Sequence, residues 1–512
     1  MKKWYSVFLF LCVFALVATG CAGISGDSDV SGDAKSDGSN SKKQEMTVAN
    51  DVGIISLDPY GSAHGEPATI LAATQIYDTL VKNDGNKLVP SLATEWKQPD
   101  DLTWVFKLRD DVTFHDGTKL TAKDVKASLE QLVTRKESPL TVLWAQLDSV
   151  EATDDTTVTI KTKTPLGNLL YNLTLLYITP ADQATSKDFF RKPIGSGPFR
   201  VESFQPDQDL KLSGNKDYWD GAPKLDSLTI KNIPENAARM TAIETGEIDA
   251  TWTIPADLID QLKQNKEINI MDTPSYFYYF NWFNSSEKPF DDVRVRKAMW
   301  YALDTKAIVK DLFGDTAEVM KAPIPSSIFG FSEQTPYEYN PEKAKQLLKE
   351  AGYPDGFETR MIWSKGSGPQ ILELQKALTS YWDKIGVKIV PDQLERAEWI
   401  EKLTALDWNM DLQTNAVISG DADYTLGRLY ISQANRNGYK NEKLDELLIK
   451  AKQSTDADKR AQFYDQANKI IWDDAVGIFP LQLKQIYAVR KNVKGLEASP
   501  TGAPNFHKVS IE

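Results

Sequence analysis

Residues able to do covalent or metal chemistry are few in this chain and scattered along it. The three histidines, His64, His115 and His507, lie far apart, and no HExxH, GxSxG or GxxxxGKS/T pattern is present. Both cysteines, Cys12 and Cys21, fall near the start, so the rest of the chain has no thiol for a disulfide, a thiolate zinc site or a nucleophile. Paired acids such as Asp110-Asp111 and Asp154-Asp155 sit in turns between expected strands and read as solvated charge. A direct polyhistidine metal site is ruled out by number alone. The expectation is a protein that is not an enzyme and carries neither cofactor nor metal.

Cys21 is a different case. Met1-Lys2-Lys3 is a short positive start, and Trp4 to Val17 is almost wholly apolar, the length of a signal-peptide hydrophobic region and too short for a membrane span. Ala18-Thr19-Gly20 before Cys21 resemble a bacterial lipobox, with Ala18 where Leu is most frequent; in that motif the cysteine is acylated and becomes the mature amino terminus. Residues 1–20 therefore read as a lipoprotein signal peptide. From Cys21 to Glu45 the chain is rich in Gly, Ser, Asp and Lys, with too few large apolar residues to offset the entropy of ordering. As a flexible tether it would hold a globular body roughly 25–30 Å from its anchor, so the membrane is an expected partner through the lipid, on the extracytoplasmic face.

The 512 residues are 41% hydrophobic and 26% charged, enough for a core in more than one lobe. No second apolar run approaches membrane-spanning length. The formal charge of −13, with no basic cluster, excludes nucleic acid as a partner. Alternation in "LTWVFKLRDDVTF" places Leu102, Trp104, Phe106 and Leu108 on one face of a strand, and "TTVTIKTKT" alternates likewise. "YNPEKAKQLLKEAGY" reads as a helix with Asn340 as N-cap, Pro341 in the first turn, Leu347 and Leu348 on the apolar stripe and Gly352 as terminator. "DVRVRKAMWYALDTKAIV" reads as a second amphipathic helix, with Val295, Met299 and Ala302 in line. Helices and strands mix without a strict βαβ rhythm, which predicts α/β lobes with mixed sheets.

Five strings carry a resemblance. "LVPSLATEWKQPDDLTWVFKLRDDVTFHDGTKLTAKDVKASLEQL", "PIGSGPFRV", "TGEIDA", "KPFDDVRVRKAMWYALD" and "YNPEKAKQLLKEAGYPDG" resemble, in order, the landmarks of the extracellular solute-binding proteins of family 5, the peptide and nickel binders of ABC importers. "ISGDADYTLGRLY" is most similar to glutathione- or short-peptide-binding members. The resemblance implies a type II periplasmic-binding-protein fold (cluster C): an α/β molecule of two main lobes joined by a hinge, with an extra subdomain. It places lobe I at 46–275 with a subdomain inserted at about 70–190, lobe II at 276–480 and the return to lobe I at 481–512. It implies a monomer that delivers its ligand to a separate permease with ATPase subunits.

The resemblance also nominates ligand contacts. A zwitterionic peptide presents an ammonium and a carboxylate, each costly to bury unpaired, so a closed cleft needs an acid and a base. Peptide-binding relatives place an Asp for the ligand amino group in the string matching "SGDADY", which nominates Asp421 first and Asp423 second; an Asx-turn is the structural alternative. Lys365 in "MIWSKGSGPQ", beside Trp363, lies near where a dipeptide-binding relative carries Arg, and Arg428 is a further base. The interlobe crossings fall around Thr273–Asn284, "TPSYFYYFNWFN", and Phe479–Tyr487. In the first, aromatic packing within a sheet explains the composition, while the functional reading lines the cleft with one or two of Tyr276, Tyr278, Tyr279 and Trp282. His64 and Glu66, in "GSAHGEP", are placed to reach a cleft ligand. The expected ligand is a short peptide or glutathione; a nickel chelate, an opine, an oligosaccharide and a receptor or chaperone role are the alternatives.

Overall fold

The computed structural model describes residues 43–84 and 87–512. The signal peptide, Cys21 and the tether up to residue 42 lie outside the described residues. The first strand, Glu45–Asn50, begins where the tether was expected to end and runs into the Gly-containing loop before the helix Pro67–Ile76.

One eleven-stranded mixed sheet organises the chain. Its middle is the antiparallel pair of two long strands, Ile268–Phe283 and Gly477–Arg490. On one side follow Ala250–Trp252, Glu45–Asn50, Ser227–Asn232, Asp209–Gly214 and Phe199–Gln205; on the other, Met410–Ala416, Phe357–Ser364 and Val387–Leu394. The ladder between the long strands is interrupted near its centre, and its register shifts once more between Tyr279 and Asn281. Pro274 pairs with Lys484 and Tyr278 with Gln482, so three residues of one strand face one of the other. Leu483 pairs instead with Ala317, and the Tyr276 amide donates to Pro500 O at 3.1 Å. The backbone groups freed by the gap are thus satisfied locally, as burial demands.

The cores divide at this gap. One apolar cluster runs from Tyr276 to Leu481 and includes Trp282, Met299, Trp382 and Ile471. A second gathers Met46, Leu71, Phe199, Leu228, Trp252, Tyr487 and Phe506, and a smaller one beside it contains Ile243, Ile268 and Ile486. The long strands therefore leave one core between Ile268 and Tyr276 and re-enter it between Leu481 and Ile486. A further cluster, from Tyr60 to Phe190, is built on the four-stranded antiparallel sheet Ala93–Asp100, Thr103–Leu108, Thr157–Thr162 and Leu147–Asp154. Trp104, Phe106 and Leu108 are buried there as the alternation predicts, whereas Leu102 precedes the strand and is 39% exposed.

The helix Pro341–Glu350 matches the sequence expectation: Asn340 accepts from the Lys343 amide at 2.9 Å, and Gly352 follows at φ +92°. The second expected helix is two. Val293–Tyr301 ends before Asp304, whose carboxylate accepts from the Ala307 amide at 2.9 Å and starts Thr305–Phe313. An Asp within an apolar-periodic run acts as an N-cap when the chain can turn there, and the periodicity alone does not reveal the break.

Candidate functional site

Strand direction locates the site. Strands Glu45–Asn50, Ser227–Asn232 and Ala250–Trp252 are mutually parallel and antiparallel to Gly477–Arg490, so they run toward the half containing Trp282. Strands Phe357–Ser364, Val387–Leu394 and Met410–Ala416 are parallel to one another and antiparallel to Ile268–Phe283, so they run the opposite way. Six carboxyl ends therefore face one another across the gap that the long strands bridge. Ligands of open α/β sheets bind outside such ends. The loop after Ala416 carries Gly420, Asp421 and Asp423, the loop after Ser364 carries Lys365, and Glu395 follows Leu394.

The seam between the Tyr60–Phe190 body and the Tyr276–Leu481 body is polar and closely packed. Asn83 Nδ2 donates to Tyr276 Oη at 3.3 Å. Gly420 sits at φ +75°, a backbone angle that selects glycine, with Asn83 Nδ2 of the other body 2.7 Å from where a Cβ would stand. Tyr171 and Phe329 pack with ring centroids 5.5 Å apart. Asn168 Nδ2 donates to Asp423 Oδ2 at 2.8 Å, and Lys452 Nζ stands 4.0 Å from the same oxygen.

Asp421, the first nominated acid, is fully buried and already has its counter-ion. Arg460 Nη2 donates to Oδ1 at 2.9 Å and stands 2.8 Å from Oδ2, off the N–H direction. Oδ1 also accepts from the Asp423 amide at 2.9 Å, the Asx-turn geometry. Burial works against the Arg460 charge, but Asp421 and Tyr464 outweigh it and hold the guanidinium above its usual pKa. Asp423 is nearly buried; desolvation pushes its carboxyl above the usual range, opposed by Lys452 and reinforced by Asp421.

The other nominated residues fall in several places. Lys365 is exposed and forms a close ion pair with Glu395. Arg428 donates to Tyr424 O at 2.9 Å and lies 4.4 Å above the Tyr424 ring, near enough to Asp423 to lower its pKa. Tyr276 is at the seam. Tyr278, Tyr279 and Trp282 belong to the core: Trp282 Nε1 donates to Tyr430 Oη at 3.0 Å, Tyr278 Oη accepts from Asn415 at 3.2 Å, and Tyr279 Oη donates to Pro369 O. Trp363 is buried beside the helix Ile371–Asp383, in a groove with Gln375 and Gln393. Glu66 is exposed at the start of Pro67–Ile76.

His64 is enclosed, with Nδ1 at 3.2 Å from Ser138 Oγ and Nε2 at 3.1 Å from Leu175 O. Burial lowers its pKa to about 4, with Leu175 O opposing. A neutral ring with both nitrogens engaged has no donor or acceptor left for a ligand. Arg460, Asn168, Lys452 and Asn83 are seam residues that sequence reasoning missed. Arg460 did leave a signal, standing on the same helical stripe as Tyr464, Ala467 and Ile471, where a charge needs a buried partner.

With this geometry in place, the comparisons decide the family. A family model described as bacterial extracellular solute-binding proteins, family 5, middle, matches residues 87–437. The chain belongs to this family. It is a solute-binding protein of an ABC importer, and the family and its relatives are binding proteins rather than enzymes. Glutathione-binding protein GsiB of Pectobacterium atrosepticum is 31% identical over 488 residues, covering 91% of this chain and 94% of the relative. Among solved structures, HbpA2 from Haemophilus parasuis matches with a TM-score of 0.84 at 27% identity, over 91% of this chain and all (100%) of that one. The periplasmic binding protein DppA from Helicobacter pylori, in complex with the peptide STSA, matches at 0.75 and 27%, over 91% and 98%. The fold is that of the type II periplasmic binding proteins, two main lobes with a hinge and an extra subdomain. Among the described residues no helix is long and apolar enough to cross a membrane.

The buried pair gives a direct test. Arg460→Met should cost about 3–5 kcal/mol by leaving Asp421 charged and unpaired, while adding Asp421→Leu should recover most of the loss. Urea unfolding of both variants reads this out. A single variant within about 1 kcal/mol of wild type would show that Asp421 does not depend on Arg460.

Proposed function

We propose that the protein captures a short peptide, with glutathione as the sharpest candidate, between lobe I (46–275, with the subdomain at about 70–190, and 481–512) and lobe II (276–480). It then delivers the ligand to a membrane permease driven by separate ATPase subunits. The observation that carries this reading is the pair of buried acceptors at the seam: Asn83 Oδ1 and Asp423 Oδ1 have no hydrogen-bond partner among the described residues. Buried acceptors left unpaired are costly, and a ligand ammonium or amide supplies the donors they lack.

Charge refines the assignment. Asp421 is committed to a buried pair, and removing its partner is expensive. We therefore assign the ligand amino group to Asp423, with Asp421 and Arg460 holding the loop in place. Lys365 is in the opposite situation, because its pair with Glu395 is exposed and worth only about 0–1 kcal/mol. Trading Glu395 for a ligand carboxylate costs little. Glutathione carries one ammonium and two carboxylates, and Lys365, Lys452 and Arg428 are the bases available to the second kind of group. A GsiB relative described as glutathione-binding and a DppA structure holding STSA support the same ligand class. His64, the side chain through which a nickel chelate was expected to be reached, is enclosed by Ser138 and Leu175.

The capture step is tested by calorimetry with glutathione and N-acetylglutathione against wild type and Asp423→Ala. Acetylation and the substitution should each weaken binding by about 2–5 kcal/mol, roughly 30-fold to several thousandfold. Together they should add little, since both remove one contact. Equal affinity for the free and acetylated forms would refute the amino-group assignment.

Cys21 is proposed as the lipidated amino terminus that keeps the protein on the extracytoplasmic face of the cell membrane. Cys21→Ala should release a folded protein from washed membranes; retention at the wild-type level would rule the anchor out.

A further inference from the structure

The two bodies meet backbone to backbone at Gly167, which with Asn168 precedes the short helix Leu169–Leu173. The Gly167 amide donates to Lys452 O at 2.7 Å. A Cβ on Gly167 would stand 1.7 Å from Ser454 O and 2.9 Å from Arg460 Cδ, so the segment leaving the helix Glu442–Gln453 is seated directly on this glycine. The Gly167 backbone is not in the left-handed region, so no positive φ calls for glycine there. What selects glycine here is the other body.

The next side chain makes the polar half of the same contact. Asn168 is 3% exposed and Asp423 6%, with Asn168 Nδ2 on Asp423 Oδ2 at 2.8 Å. Asn168 is the N-cap residue by position, yet its side chain makes no capping hydrogen bond. Its amide is spent on the opposite body, placing an N–H donor on the carboxylate assigned above to the ligand ammonium.

We propose that Gly167 and Asn168 form a latch with two opposed effects: the Gly167–Lys452 contact favours closure with or without ligand, and the Asn168 amide occupies one oxygen of Asp423, Oδ2, as an internal donor that competes with the ligand ammonium for that carboxylate. The first effect is independent of ligand identity, while the second rests on the peptide-capture reading. The latch lets the empty protein populate a closed arrangement in which one of the two Asp423 oxygens already has a donor in the dry seam. Incoming ammonium engages the same carboxylate with a full charge, and a charge-assisted hydrogen bond is about twice as strong as a neutral donor's.

Two substitutions separate the effects. Gly167→Ala sets a methyl group against the Ser454 carbonyl, which must give way, so the ligand-free variant should be more open, with a larger radius of gyration in small-angle scattering and faster hydrogen exchange at residue 167. Its glutathione affinity should fall about tenfold, because the closed state is less populated. Asn168→Ala removes the competitor, and its glutathione affinity should rise about tenfold. Ligand-free scattering of Gly167→Ala that superimposes on wild type would overturn the latch, whatever the ligand. Unchanged or weaker glutathione binding by Asn168→Ala, with wild type binding normally, would overturn the competition. If glutathione gives no heat with wild type, the capture reading and the competition fail together, and the scattering comparison still decides the latch.

Discussion

The paired strands Ile268–Phe283 and Gly477–Arg490 are the constraint on which the rest of the molecule depends. They join a sheet that would otherwise be two sheets, one over each core, and their directions set which way the six flanking parallel strands point. Their ladder resumes on both sides of the interruption between Pro274 and Tyr278, with one further register shift between Tyr279 and Asn281. A bend at this position breaks none of the ladder pairs on either side. Closure of one lobe on the other is thereby concentrated in a few residues, as hinge motion requires, while each core stays packed.

Closure has to manage charge as it removes water, and the molecule treats its ions in two ways. Asp421 and Arg460 are buried together next to Tyr464, a pair that is rigid because separating it would strand a charge. Lys365 and Glu395, at the ends of neighbouring strands, form an exposed pair that solvent screens. The first arrangement suits a residue that shapes the loop, the second a residue that changes partners when a ligand arrives. Asp423 lies between the two, nearly buried but reached from across the seam by an amide and bordered by the half-exposed Lys452.

Much of the fold was legible because it rests on local rules. Trp104, Phe106 and Leu108 alternate, and Asn340 and Gly352 punctuate a helix; these features are written within a few residues of where they act. The division of "DVRVRKAMWYALDTKAIV" was missed because Asp304 reads as one more polar residue on a stripe until its side chain is seen capping Ala307. The candidate residues were legible only as a region of the chain. The SGDADY string does face the gap, but its pairing with Arg460, 39 residues further on, is a tertiary fact with no local periodicity to announce it. Tyr278, Tyr279 and Trp282 show the reverse: aromatic residues that composition offers to a cleft are consumed by packing between Tyr430, Pro369 and the helices that cover the sheet.

The central claim is that a ligand closes two lobes about the interrupted ladder, and one distance measures it. Both native cysteines precede residue 22, so in a Cys21→Ala background a spin-label pair is introduced cleanly at Val142 and Ile400, exposed positions on opposite sides of the seam. Double electron–electron resonance on the ligand-free protein should show a broad distance distribution, which saturating glutathione collapses to its shorter component. An identical distribution in both states, with binding established by calorimetry on the same sample, would contradict the clamp.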